Sequence, residues 1–265
     1  MRIYQDKILN LVLSGVELPE YLWAFERGRS IPEMAALHVN KTVVVSFDIK
    51  DFFGSITQKM ISRVLEGYNI SGSAARTVSE LCTYKYFVPQ GAITSPKISN
   101  IIAANTFGPD ISSYCTDNNL VMSIYADDIT ISSDEVLDNE KISEIKLTIR
   151  SIIANYNFEV NHRKTKVMFR NRRQWVCGAV VNDKVNLIRS ERNRLRAVVH
   201  NITRNGIEVE ASKNDVSVEM FVSRVKGRLN WFRQLNFEKG NLLLTKLNDY
   251  LSGEQHESSE TGGGS

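Results

Sequence analysis

Apolar and polar positions along this chain follow two rhythms. In the middle the period is two. Thr42-Val43-Val44-Val45-Ser46-Phe47-Asp48 is a β-branched run ending on a carboxylate, the pattern of a buried strand. The stretch 121–132 alternates on both sides of Tyr125-Ala126-Asp127-Asp128, which predicts a β-hairpin with two aspartates at its tip. Further strands are predicted at 159–160 with 167–169, and at 175–181 returning as 184–188 through an Asn182-Asp183 turn. Elsewhere the apolar spacing is helical, over 5–13, 58–67, 73–84, 139–154, 190–203, 216–235 and 239–251. Val88-Pro89-Gln90-Gly91 reads as a loop, followed by a helix with Ser95 as N-cap and Pro96 at its first position.

Antiparallel hairpins in the middle and a purely helical end predict an α+β sheet domain followed by a helical domain. No repeat stands at solenoid spacing, and the low-complexity end 258–265 reads, from about 253 on, as a linker or disordered tail. A chain of 265 residues with 42% hydrophobic content can bury a full core. No run reaches the roughly 18–20 apolar residues of a membrane span, and the polar start Met1-Arg2-Ile3-Tyr4-Gln5-Asp6 is unlike a secretory signal. A cytoplasmic protein without a membrane partner is the expectation. Cys82, Cys115 and Cys177 are far apart and form no C-x-x-C pair, so they read as small buried hydrophobes rather than disulfide or zinc ligands.

Charge changes the picture of partners. The net charge of +3 hides a stretch, 161–233, with 17 Lys or Arg against 6 Asp or Glu, a net of +11. Such a concentration is either a solvated surface or a face that tracks phosphates.

The carboxylates suggest chemistry of a particular kind. Phosphoryl transfer to a 3′-hydroxyl needs charge neutralised at the attacking and leaving oxygens, which two Mg²⁺ ions about 3.5–4 Å apart can do when carboxylates on neighbouring strands hold them. Asp48 at a strand end and Asp127-Asp128 at a hairpin tip would meet that need if the strands adjoin. An Asp-Asp pair in a turn is also ordinary turn chemistry.

The ordered set of segments bears on that choice. Phe47-Asp48-Ile49-Lys50-Asp51-Phe52-Phe53, Pro89-Gln90-Gly91-Ala92-Ile93-Thr94-Ser95-Pro96, Tyr125-Ala126-Asp127-Asp128, Asn161-His162-Arg163-Lys164-Thr165 and Val176-Cys177-Gly178 resemble the successive palm motifs of reverse transcriptases. With Ala24-Phe25-Glu26-Arg27-Gly28-Arg29-Ser30-Ile31, the chain is most similar to the bacterial retron and antiphage-defence branch, departing from its pattern at Met34 and Cys177.

The resemblance implies an RNA-directed DNA polymerase with a right-hand palm and two Mg²⁺ ions, for which Mn²⁺ could substitute. It implies reduced fingers over 1–40, a palm over 41–188 with a fingers insertion at about 57–88, and a helical thumb over 189–252. Asp48, Asp127 and Asp128 would ligate the metals with the Ile49 carbonyl, and Lys164 would balance charge on the leaving pyrophosphate. Phe53 would gate the 2′ position of the incoming nucleotide, and Gln90 and Gly91 would contact the template and nascent pair. Tyr125, Cys177 and Gly178 would position the primer. Arg192, Arg196 and His200 recur at four-residue spacing and, with Arg224 and Arg228, would grip the template-primer backbone. The implied partners are a dedicated non-coding template RNA, its DNA product, dNTPs, and an effector protein or a second copy. Other readings are an intron-encoded or diversity-generating enzyme, and a non-catalytic RNA-binding or assembly subunit.

Overall fold

The computed structural model describes residues 1–260, and the chain divides between Cys177 and Gly178 into two compact units. The first contains α1 (Arg2–Ile8), which runs on through a π-helical turn at Leu9–Leu13, then α2 (Ile31–Ala36), β1 (Val43–Asp48), α3 (Phe52–Ser55), α4 (Gln58–Gly67) and α5 (Gly72–Leu81). It continues with α6 (Ser95–Asn105), α7 (Phe107–Asp117), β2 (Val121–Tyr125), β3 (Asp128–Ser133), α8 (Asn139–Asn155), β4 (Lys166–Phe169) and β5 (Trp175–Val176).

The sheet has the order β2-β3-β1-β4 with every pair antiparallel. Because side chains alternate between faces, Val43, Val45 and Phe47 of β1 point one way, and with Ile124, Ile129 and Ile131 they join the core formed by α6, α7 and α8. Each such fully buried side chain contributes roughly 1.5–3 kcal/mol. Rings of Phe52, Phe107 and Phe158 lie 5.4–6.1 Å apart and close this core beneath the end of β1.

The opposite face is polar. Ser46, Thr130 and Ser123 succeed one another along it, and buried His38, just past α2, is hydrogen-bonded to the Ser132 hydroxyl through Nδ1 (2.7 Å) and to the Ser123 hydroxyl through Nε2 (2.8 Å).

The second unit contains β6 (Ala179–Val180), α9 (Arg189–Asn205), α10 (Ile207–Lys213), α11 (Val218–Leu235) and α12 (Phe237–Glu260). Leu195, Val199, Phe221, Leu229 and Phe232 are buried in it. Mixed sheet and helix followed by a helical unit is the α+β architecture expected from the pattern.

Some elements differ from expectation. The division into compact units falls after Cys177, eleven residues before the expected palm–thumb boundary at 188/189. The chain turns first at Cys177 and Gly178, both with left-handed backbone (φ +45° and +84°), and only then between Val180 and Asn186. Ser95 does not cap its helix. Thr94 is the N-cap residue, and the Ser95 hydroxyl instead donates to the Pro89 carbonyl (2.6 Å). The short helices α3 and α10 escape sequence reading because one or two turns show too few periodic positions. Of the tail read from 253, residues through Glu260 continue α12, and 261–265 lie outside the described residues.

Candidate active site

β1 ends on Asp48 and β3 begins on Asp128, and these two residues are direct partners in the ladder. With Phe47 committed to the core, the period of two sends Asp48 to the polar face. Asp127 sits at the hairpin tip, where its carbonyl accepts from the Ile49 amide (2.9 Å), tying the tip to the end of β1. The connection between β2 and β3 is Ala126-Asp127, with φ +55° at Ala126, the type II′ pattern in which glycine is usual at the first position.

On the other flank, the Asn161 amide donates to the Asp48 carbonyl (2.7 Å) and the Lys50 amide to the Glu159 carbonyl (2.8 Å). This pairing sets the following turn so that Lys164 Nζ reaches Asp48 Oδ2 at 2.8 Å, with Asp48 mostly buried and Lys164 largely exposed.

The electrostatics follow from crowding. Burial, then the charges of Asp127 and Asp48, push the Asp128 carboxyl up to about 6, against the pull of Lys164 and Lys166. The hydrogen bond to Asp48, followed by its charge, holds the Lys164 ammonium above its ordinary value. Burial, with Asp128 and Asp127 adding to it, pushes the half-buried Cys177 thiol up to about 12.

A cleft of about 650 Å³ opens over these groups, and Asp48, Ile49, Phe53, Gln90, Gly91, Asp127 and Lys164 all line it. Gly91 has φ +87°, a conformation in which a side chain would be strained. Tyr125 and Asp128 are cross-strand partners and are not among the described residues that line the cleft. Gly178 belongs to the second unit, where its α-carbon faces Trp231.

Arg192, Arg196 and His200 lie on α9 and Arg224 and Arg228 on α11. Arg228 forms an ion pair with Glu191, so part of its charge is already answered.

Sequence reasoning missed Phe25. Leu22 bridges in parallel to Ile124, and hydrogen bonds join Tyr21 and Trp23 to the same residue. This brings the Phe25 ring to 6.3 Å from that of Tyr125, exposed in the cleft. Asn100 and Lys97 of α6 hold the neighbouring Ala24 carbonyl and Glu26 carboxylate. The apolar run Tyr21-Leu22-Trp23-Ala24-Phe25 was the available signal.

Among the described residues, no three His, Cys, Asp or Glu side chains are arranged to grip an ion unaided. The donors nevertheless fit Mg²⁺, a hard cation that takes one or two carboxylates from a protein and leaves other positions to water and phosphate oxygens. The Asp128 carboxyl is raised first by burial and then by the charges of Asp127 and Asp48, and a bound cation would offset the second of these.

The polar sheet face, the paired aspartates and the basic turn together define a polymerase-type palm. The family model for reverse transcriptase (RNA-dependent DNA polymerase) matches residues 1–219, and the chain belongs to this family. It is 31% identical to the retron Mx65 reverse transcriptase of Myxococcus xanthus over 92% of this chain and 58% of that protein. Identity is 27% to the retron Ec86 reverse transcriptase of Escherichia coli, over 76% and 62%. The chain therefore spans about three fifths of the length of these relatives. Among solved structures, apo telomerase from Candida tropicalis superposes with a TM-score of 0.52 at 13% identity, covering 70% of this chain and 45% of that one. Telomerase from Candida albicans, in complex with a telomeric RNA fragment, gives 0.51 at 12% over 96% and 55%. These structural likenesses bear on the fold.

Proposed function

We propose that the chain is an RNA-directed DNA polymerase of retron type, working by two-metal phosphoryl transfer. The observation that carries this reading is the placement of Asp48 opposite Asp128 in the ladder, with Asp127 at the tip and Lys164 on Asp48; Asp48, Asp127 and Lys164 line one cleft. Residues 1–40 serve as fingers, 41–188 as palm with an insertion at about 57–88, and 189–252 as thumb.

Asp48, Asp127 and Asp128, with the Ile49 carbonyl, hold two Mg²⁺ ions. When bound, the metals lower the pKa of the primer hydroxyl and neutralise charge on the phosphates. Asp48 would serve as a metal ligand, and Lys164, which pairs with Asp48 in this structure, would supply positive charge toward the leaving pyrophosphate. Phe53 blocks a 2′-hydroxyl on the incoming sugar, and Gln90 with the Cβ-free backbone of Gly91 lies against the nascent pair. Tyr125, Cys177 and Gly178 position the primer end, and the arginines of α9 and α11 hold the template-primer backbone. The template is a dedicated structured RNA, the setting antiphage defence, and an effector protein or a second copy the further partner, as the retron likeness suggests.

The test is Mg²⁺-dependent dNTP incorporation on a primed RNA. Wild type should extend the primer, and Asp127→Ala with Asp128→Ala should reduce extension by at least about 10³-fold, the scale of lost transition-state charge stabilisation. A wild type as silent as the double variant would favour the non-catalytic RNA-binding reading.

A further inference from the structure

Two grooves adjoin on the flank of α4. One, of about 900 Å³, is lined by Lys59, Arg63, Phe87 and Tyr156. The other, of about 400 Å³, shares Lys59 and Phe87 and adds Arg76 and Tyr86. No Asp or Glu is among the described residues lining either groove, and the nearby Asp110 carboxylate is taken up by the Tyr156 hydroxyl (2.9 Å). Lys59, Arg63 and Arg76 are all exposed. Lys59 and Arg63 are one helical turn apart, so both cations face the same way while Ile61 and Leu65 are buried.

Tyr86 and Phe87 of the aromatic wall sit on a turn with a hydrogen-bonded backbone, and Tyr84 stands beside them with the Lys85 ammonium 5.5 Å from its ring centroid. Tyr84 and Phe87 exchange backbone hydrogen bonds (2.8 and 3.1 Å) around Lys85 and Tyr86, both left-handed at φ +49° and +69°. Asn or Gly is usual at such positions. The Gln58 amide donates to the Tyr86 carbonyl (2.8 Å), fixing the turn on α4. Tyr84 and Tyr86 are left 67% and 74% exposed, at a turn that does not need their bulk.

We propose that this groove binds a single-stranded segment of RNA outside the catalytic cleft. Fixed exposed rings offer stacking surfaces that only unpaired bases can use, and unpaired cations along a groove meet successive phosphates. The exposed amides of Asn155 and Asn157, which line the larger groove, can bond base edges and 2′-hydroxyls, which favours RNA over DNA; the Asn105 NH2 and the Ser55 and Thr57 hydroxyls that also line it already bond within the protein. The choice of RNA rests on the polymerase reading above; the groove's affinity for a polyanion with unpaired bases does not.

The measurement is fluorescence anisotropy of a labelled oligouridine of about 12 nucleotides, within the usual site size, titrated with the full chain across a salt series. Primer, dNTPs and Mg²⁺ are left out, so the result is independent of polymerisation. Lys59→Gln with Arg63→Gln and Arg76→Gln should weaken binding at least about tenfold at low salt and lower the log–log salt slope by about 2, from roughly 0.7 per phosphate. Tyr84→Ala with Tyr86→Ala should weaken binding about tenfold with the slope unchanged, and Tyr86→Phe should bind as wild type does. In the wild type, 4-thiouridine RNA should crosslink to the peptide containing residues 84–87, a readout that needs no variant to fold.

Unchanged affinity and slope in the triple variant, with crosslinks elsewhere, would overturn the proposal. So would loss of a protein partner by that variant with RNA binding intact, and a matched oligodeoxyuridine binding as tightly would overturn the preference for RNA. If the wild type polymerises nothing yet the slope difference persists, the groove stands and the polymerase reading falls.

Discussion

Lys164 Nζ, 2.8 Å from Asp48 Oδ2, places a cation where three carboxylates would otherwise face one another uncompensated. Lys164→Ala should lower the melting temperature of the metal-free chain, with added Mg²⁺ restoring it, and should reduce the dNTP incorporation rate about 10²-fold, as loss of a positioned charge at the leaving group does. Lys164→Arg keeps the charge and should recover most of both; equal losses in Ala and Arg would remove the charge argument. Phe53 packs its ring 5.8 Å from Phe52 and lines the cleft. Phe53→Ala should therefore raise ribonucleotide incorporation relative to dNTP by about tenfold or more, the scale at which a pocket wall discriminates. An unchanged ratio in competition assays would move Phe53 from gate to core. At this scale much was legible: the ordered motifs carried Asp48, Asp127, Lys164, Gln90 and Gly91, and all five converge. Phe25 was not legible as a cleft residue, because its position depends on a single parallel bridge between Leu22 and Ile124 that no local periodicity records.

Among the elements, the β2–β3 hairpin combines conformational strain at its tip with a buried histidine along its strands. Ala126 is left-handed and buried, so Ala126→Val should cost about 1–2 kcal/mol in chemical denaturation, whereas Ala126→Gly should be neutral or stabilising. His38, locked between two serine hydroxyls, has its pKa lowered to about 3 by burial and then by Lys41. The unfolded chain takes up a proton near pH 6.5 and the folded chain does not, so this group's stabilisation is complete above 6.5 and is lost as pH falls toward 3. The loss should reach about 2 kcal/mol by pH 5. Denaturation midpoints across pH 5–8 measure it, and His38→Gln should flatten the slope attributed to this residue. The hairpin and α4 were read from periodicity to the residue or nearly so. The expected return around Asn182-Asp183 is present between Val180 and Asn186, but the turn at Cys177 and Gly178 was missed, because the left-handed backbone of a Cys-Gly pair is revealed only by the fold.

For the molecule as a whole, the excess of positive charge in 161–233 makes nucleic-acid affinity a function of salt. Arg196→Gln and Arg224→Gln should each lower the log–log salt slope for a template-primer duplex by roughly 0.7–0.9. Arg228→Gln should lower it less, since its guanidinium is already paired with Glu191; a full drop at Arg228 would show that the pair opens on binding. The α+β order, sheet then helices, was visible in the change of period along the chain. The division after Cys177 was not, because the boundary lies within a short run whose strands are two residues each.

The pairing of Asp48 with Asp128 also has a temporal meaning. The two residues are 80 positions apart in the chain, so the carboxylates meet late, after a large loop has closed. A slip of β1 by one position would turn Asp48 into the layer now occupied by Phe47, where an unpaired carboxylate costs several kcal/mol. Misregistered chains are thus disfavoured by the same residue that the proposed mechanism places on the metals. During synthesis the proposed site cannot assemble until the β2–β3 hairpin has emerged and paired with β1.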